Sequence, residues 1–361
     1  MTLQHGLRAV LLFQTMPFRA LSRLSHTQAV FMMIVVTLMW SIAGVVSRQL
    51  ESAARFEVTF WRSAFTALSL LVILPLWRAA DRASGVLPTE AGEGIFKRHW
   101  GVLPASKAFW ISGVCWSVMF TAFMLALSFT SVANVLIIMS VGPLFTALLA
   151  RFVIGQQLPV RTWVAIVAAG AGIAYMYGSQ MLQTFSEPDA NASGLLLGSL
   201  ASLCVPVAGA INWTVVQRSQ SHGEKIDLVP SVLLGALLST LFTLPLAVPF
   251  AATATDVAWL ALLGLVQLAI PCALAVVCAR SLKAPEVSLL ALLEVIFGIV
   301  WAWQWANETP GHEVLLGGSV VIAALLLNEL LAWRDRSARP MQTLPDDSGA
   351  TPQRPLQDQQ P

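Results

Sequence analysis

Apolar residues gather in ten long stretches of this chain, and polar residues are largely confined to the gaps between them. A helix that crosses a bilayer needs about 20 mostly apolar residues. The stretches run roughly over 29–50, 56–77, 108–127, 131–153, 160–178, 194–216, 229–251, 257–279, 284–305 and 314–333. This pattern predicts an all-α polytopic membrane protein with ten transmembrane helices joined by short links. The one long gap, about 78–107, carries Gly, Pro and charge and reads as a surface loop.

Composition agrees with lipid as the main solvent. The 361 residues are 57% hydrophobic and only 11% charged, with a mean hydropathy of +0.72. A soluble domain carries about 25% charged residues. The net charge of +2 says little, but its distribution sets an orientation. With the N-terminus placed in the cytoplasm, the inner segments hold 18 of the 21 Lys and Arg residues. The outer links hold only Arg48 and Arg55, and Arg62 lies inside the second span. Lys and Arg favour the cytoplasmic side, so both termini are expected there, in a bacterial-type inner (plasma) membrane. Residues 1–28 read as a cytoplasmic arm, with a transit peptide as the alternative for this acid-free segment. Residues 334–361 read as a disordered cytoplasmic tail.

The chain repeats itself. "VVSR" at 45–48 returns as "VVQR" at 215–218, and 126–157 lies over 278–309 at an offset of 152. Each half, 29–178 and 194–333, then holds five spans, with 179–193 as an outer linker. An odd span number inverts the second half relative to the first. Inverted repeats suit alternating access, with the substrate site near midplane where the repeats meet.

Several stretches carry a more specific likeness: "WSIAGVVSR" (40–48), "FWRSAFTAL" (60–68), "ALSFTSVANVLIIMSVGPLF" (126–145) and "LLEVIFGIVWAWQWANETP" (292–310), followed by Gly317-Gly318. Over about 29–333 the chain resembles the drug/metabolite transporter superfamily, of the EamA type. That resemblance implies a ten-helix secondary transporter, often an exporter of small metabolites such as amino acids. Relatives commonly place Glu where this chain has Gln156, and Pro where it has Val295.

Glu294 is the most conspicuous polar residue within a span. It sits about ten residues into the ninth span, about 15 Å deep and near the middle of a ~30 Å core. A carboxylate there costs about 2.5–3.5 kcal/mol on insertion scales. It is expected either to face a cavity, where it binds a cationic group or exchanges a proton, or to tie helices together. Gly298, Trp301 and Trp305 share its helical face, Gly298 leaving room beside the carboxylate. The two Trp residues then offer cation–π contacts or belong to an interfacial belt with the lipid-facing Trp303. Arg62 lies roughly 9 Å deep and needs a carboxylate, carbonyls or water. Glu294, Glu57, a substrate carboxylate or the outer surface are its possible destinations. Trp40 is a candidate cavity wall, and Trp61, Trp116 and Trp213 also lie too deep for a belt. Asn134, Asn212 and Gln267 need hydrogen-bond partners in lipid and either join helices or touch substrate. Pro143, Pro206 and Pro271 interrupt backbone bonding and mark kinks that can serve gating.

The residue inventory narrows the function class. All five His lie outside the apolar stretches, and Cys115, Cys204, Cys272 and Cys278 read as buried small hydrophobes without metal-ligand spacing. No metal, cofactor or catalytic cluster is expected, and a membrane-embedded enzyme is the disfavoured alternative. No basic tract with interleaved aromatics suggests nucleic acid, and no GxxxxGK[ST] motif is present to use ATP. The expected function is secondary transport of a small, amino-acid-like metabolite, in the direction of export, with protons as a candidate coupling ion through Glu294. Uptake or exchange of a nucleoside- or vitamin-like solute is the second reading. The expected partners are a small-molecule substrate and the lipid bilayer, and the chain is a monomer or a homodimer.

Overall fold

Lipid offers backbone N–H and C=O groups no partners, so an apolar run of this length folds as a helix that satisfies its own. The computed structural model describes residues 24–83, 95–101, 106–155, 190–221, 227–305 and 311–337, with parts of 159–175. Among these residues every regular element is helical, and eight helices are long and apolar enough to cross a membrane. They are His26–Ser47, Arg55–Ala83, Lys107–Phe129, Val132–Val153, Leu196–Gln220, Pro230–Ala247, Ala254–Cys278 and Ala284–Trp305. The fifth and tenth expected spans contribute shorter apolar helical stretches, Trp163–Gly172 and Leu315–Asn328. The N-terminal arm up to residue 23, most of the linker and the tail beyond residue 337 lie outside the described residues.

Four of the eight crossings are interrupted near their middles. The first divides into α1 (His26–Trp40) and α2 (Ala43–Ser47). The second and third are continuous: α3 (Arg55–Ala83), followed after a short surface helix α4 (Ile95–Trp100) by α5 (Lys107–Phe129). The fourth divides into α6 (Val132–Met139) and α7 (Gly142–Ile154). Then come α8 (Ala190–Ser221) and α9 (Pro230–Ala247). The crossing after α9 is α10 (Ala254–Leu262), a π-helical segment (Leu263–Ala269) and α11 (Ile270–Cys278). The last is α12 (Ala284–Leu290) and α13 (Leu292–Trp305), and α14 (His312–Ser337) follows.

The breaks have local causes. At two of them a serine hydroxyl bonds back to its own helix: Ser41 donates to Leu38 O at 2.7 Å and Ser140 to Ile137 O at 2.6 Å. Such back-bonding bends helices. Pro143 and Pro271 each sit in the first turn after an interruption, where a missing N–H costs nothing. Pro206 lies inside the long α8. The breaks of the fourth and last crossings fall one residue apart under the 152-residue offset, which sets Met139 against Ala291.

Polar contacts gather the helix ends into two groups. At one end Asp227, before α9, pairs with Arg78 of α3 at 2.7 Å and with Arg280, after α11, at 2.6 Å. Ser281 there donates to Leu24 O, and Ala284 N to Gln217 of α8. At the other end Glu57 of α3 accepts from Ala251 N and Ala252 N, both at 2.9 Å. Asp256 of α10 accepts from Glu51 N and Ser52 N, and Arg48 donates to Thr130 O. Successive crossings therefore run in alternating directions. Outward-facing Leu68, Leu76, Leu241 and Phe242 are each more than half exposed, the surface a lipid solvent accepts.

Candidate functional site

The interruptions surround a pocket with about 830 Å³ of empty space, open solvent at its mouth included. Its lining is overwhelmingly apolar, and it sits where the fourth and last crossings face one another, α6 against α13 and α7 against α12. The offset-related residues Gly142 and Glu294 both line it. A side chain at Gly142 would meet Pro206 of α8 and Ser288 of α12 at 3.7 and 3.8 Å, so glycine keeps this wall open. Ser288 is held by a 2.8 Å hydrogen bond to Thr146.

Glu294 lies in the first turn of α13, just past the break at Ala291. It is 8% exposed, and among the described residues its carboxylate has no hydrogen-bond or ion-pair partner. The break therefore does two things. It turns the residue toward the cavity, and it places it at a helix start, whose partial positive charge favours an anion. Gly298, one turn on, does not make room beside the carboxylate. A Cβ there would meet Leu136 Cδ1 at 2.4 Å, so the glycine lets α13 close onto α6.

Arg62 of α3 forms part of the cavity wall and is fully buried. It reaches neither Glu57 nor Glu294. It donates through Nη2 to Phe120 O of α5 at 2.6 Å and through Nη1 to Gln267 Oε1 at 3.3 Å. The Phe123 ring lies 5.8 Å from its guanidinium carbon. Gln267 in turn donates to Trp40 O at 3.4 Å, a carbonyl at the break between α1 and α2. The π-helical segment carries Gln267, and Gly264 within it lets α3 come close enough for Thr66 to donate to Gly264 O at 3.1 Å. The chain Arg62–Gln267–Trp40 joins three crossings on one side of the cavity.

Of the residues singled out in the sequence, Glu294, Arg62, Gln267, Trp40, Pro143 and Pro206 come together at this cavity. Trp301, Trp305, Asn134, Asn212 and Pro271 are not among its lining residues. Trp301 donates its Nε1–H to Ser41 Oγ at 3.0 Å, pinning α13 to the break in the first crossing, and packs tilted against the exposed Trp305 with ring centroids 4.8 Å apart. Asn134 donates to Thr130 within its own turn. Asn212 accepts from Ser112, which also bonds Ser231, so this group ties α8, α5 and α9 together. Cys272 lines the cavity, while Cys204 is exposed rather than buried. Trp116, Phe120, Phe123 and Trp213 complete the wall. The mid-span depth of the two Trp residues was visible in the sequence. The two Phe residues gave no sign of facing inward. No group of three or more His, Cys, Asp or Glu residues able to hold a metal occurs among the described residues.

Residues 27–178 match the EamA-like transporter family. The chain carries an EamA-like transporter segment. That family lies within the drug/metabolite transporter superfamily, as the resemblance of the signature stretches implied. A solved structure titled only "Crystal structure of protein" superposes on the EamA-like chain with a TM-score of 0.59 at 15% identity. It covers 86% of this chain and 100% of its own, and at that identity it speaks for the fold alone. No curated protein matches. The EamA-like match over residues 27–178 and the eight long apolar helices together support an integral membrane protein.

Proposed function

We propose that the chain is a secondary transporter that moves a small organic solute by alternating access, with the central cavity as its substrate site. The observation that carries this reading is the cavity itself. It holds a buried carboxylate without a partner among the described residues, and it lies where helices break. Ten spans in two inverted five-span repeats are part of the proposal. They are supported by the sequence offset, by the matching breaks, and by the pairing of α6 with α13 and α7 with α12. Half-helices that meet at a break can tilt about it, opening the cavity toward one end of the bundle while closing the other. The Arg distribution supports placing the end that holds Arg78, Asp227 and Arg280 in the cytoplasm of a cell whose inner membrane holds the protein.

Glu294 supplies the differential interaction that a transport cycle needs. It binds a basic nitrogen of the solute or takes up a proton, and a ligand bound differently in two states shifts their balance. Amino-acid-like metabolites, moved outward, are the solutes the resemblance points to. The test is counterflow in vesicles with a panel of labelled amino acids and related amines, comparing the wild type with Glu294→Gln. Protein-dependent exchange that Glu294→Gln abolishes supports the role given to this residue. Full exchange by Glu294→Gln for every solute at every pH removes it. Turnover of a solute without exchange indicates an enzyme instead.

A further inference from the structure

The cavity is chemically one-sided. Five aromatic rings line it, those of Trp40, Trp116, Phe120, Phe123 and Trp213, and the electron-rich faces of such rings attract cations. Its carboxylate, Glu294, is buried at 8% exposure, lines the cavity and has no partner among the described residues. The positive group of the wall is differently placed. Arg62 is fully buried, and two of its nitrogens are held by Phe120 O and Gln267. Two donors in the wall lack partners, Arg62 Nε and Trp116 Nε1, but both atoms are sealed from solvent. Trp116 packs perpendicular to Trp213 with ring centroids 5.7 Å apart. A ligand entering this space therefore meets an available acceptor and π faces, and among the described residues no accessible charged donor for an anion, the Trp213 indole N–H being a neutral one.

We infer that the substrate is an organic amine with an apolar or aromatic body and no carboxylate: the ammonium rests against Glu294 and the body lies among the rings. This rests on the transporter reading and narrows it, because it excludes the zwitterionic amino acids that the resemblance alone would admit. A carboxylate brought into the cavity would lose its hydration with no accessible charged donor to replace it, and such desolvation is costly. An ammonium loses its water but gains a carboxylate and ring faces.

Three probes with one body and different heads separate the possibilities: 2-phenylethylamine, phenylalanine and 3-phenylpropionate. Binding to the purified full-length protein in detergent is measured by calorimetry, and by quenching of Trp fluorescence, since three of the rings are indoles. The amine is expected to bind at least tenfold tighter than phenylalanine, and the acid not at all. Glu294→Gln should lower amine affinity tenfold or more, and Glu294→Asp should restore part of it, both variants eluting and melting like the wild type. Phenylalanine binding as tightly as the amine, or more tightly, overturns the inference and assigns Arg62 Nε and Trp116 Nε1 to a carboxylate subsite. Absence of amine binding overturns it as well. Counterflow of the labelled amine, against vesicles lacking protein, tests the transporter reading separately. Binding without protein-dependent exchange keeps the ligand class and removes transport. Exchange without preference for the amine keeps transport and removes the ligand class.

Discussion

Gly264 sits where α3 presses on the π-helical segment beside Arg62, and Gly264→Ala tests whether that contact organises the cavity wall. The added Cβ would lie 2.6 Å from Phe65 Cβ, 2.8 Å from Arg62 O and 2.9 Å from Thr66 N. Carbon atoms pack at about 3.5–4.0 Å, and two of these neighbours are backbone atoms that cannot rotate away. The crossings must separate by about 1 Å. Overpacking of this kind costs about 1–3 kcal/mol, and loss of the Thr66–Gly264 hydrogen bond adds about 0.5–1.5 kcal/mol. The better helix propensity of Ala returns about 1 kcal/mol, leaving a net loss of about 1–3 kcal/mol. The Arg62–Gln267 bond, already 3.3 Å long, would stretch and break. In a thermal melt of the detergent-solubilised protein this amounts to a fall of roughly 5 °C. Gly170→Ala is the control, because nothing lies within 4 Å of a Cβ there. It should melt level with or above the wild type. If Gly264→Ala melts with Gly170→Ala, the reasoning about this contact is wrong.

Other contacts give smaller tests. Asp227→Asn removes a carboxylate shared by Arg78 and Arg280. Because the partners are partly exposed, a double-mutant cycle with Arg280→Ala should return about 0.5–1 kcal/mol at low salt and less at 1 M salt. Ser41→Ala takes away the acceptor of Trp301 Nε1–H and should cost about 0.5–1.5 kcal/mol. Adding Trp301→Phe to it should then cost less than Trp301→Phe does alone, as coupled residues behave. Glu57→Gln turns an amide toward backbone N–H groups now held by a fully buried carboxylate, and should cost about 2–3 kcal/mol in the same melt.

The spans were legible because a 20-residue apolar run has one stable fate in lipid. The breaks were less so. Pro143 and Pro271 announce two of them, but "SLLALLEV" around Ala291 carries neither Gly nor Pro. Glu294 stood out by cost alone, and its depth sufficed to place it centrally. Its neighbours did not follow, since Trp301 and Trp305 lie about two and three turns further along the same helix and are not among the residues lining the cavity. In the fold, Trp301 finds Ser41 in the first crossing instead. Arg62 was known to need a carboxylate, carbonyls or water, and Glu294, Glu57, a substrate carboxylate or the outer surface were its possible destinations. Its actual partners are a carbonyl 58 residues away and a glutamine 205 residues away, neither of which a single helix can reveal. Asn134 turned out to bond Thr130 in its own turn and Asn212 to bond Ser112 of a neighbouring helix, both away from the cavity lining, a difference that depends on rotation about the helix axis rather than on depth.

Access to the cavity from two sides is the central claim, and a single cysteine tests it most directly. Ala291→Cys places a thiol at the cavity lining, beside Glu294, in a chain whose Cys115, Cys204, Cys272 and Cys278 have been replaced by alanine. Its modification by a membrane-impermeant maleimide is measured in right-side-out and inverted vesicles, with and without a transported amine. The account predicts labelling from both faces, with the amine shifting the two rates in opposite directions. Labelling from one face only, under every condition, would contradict it.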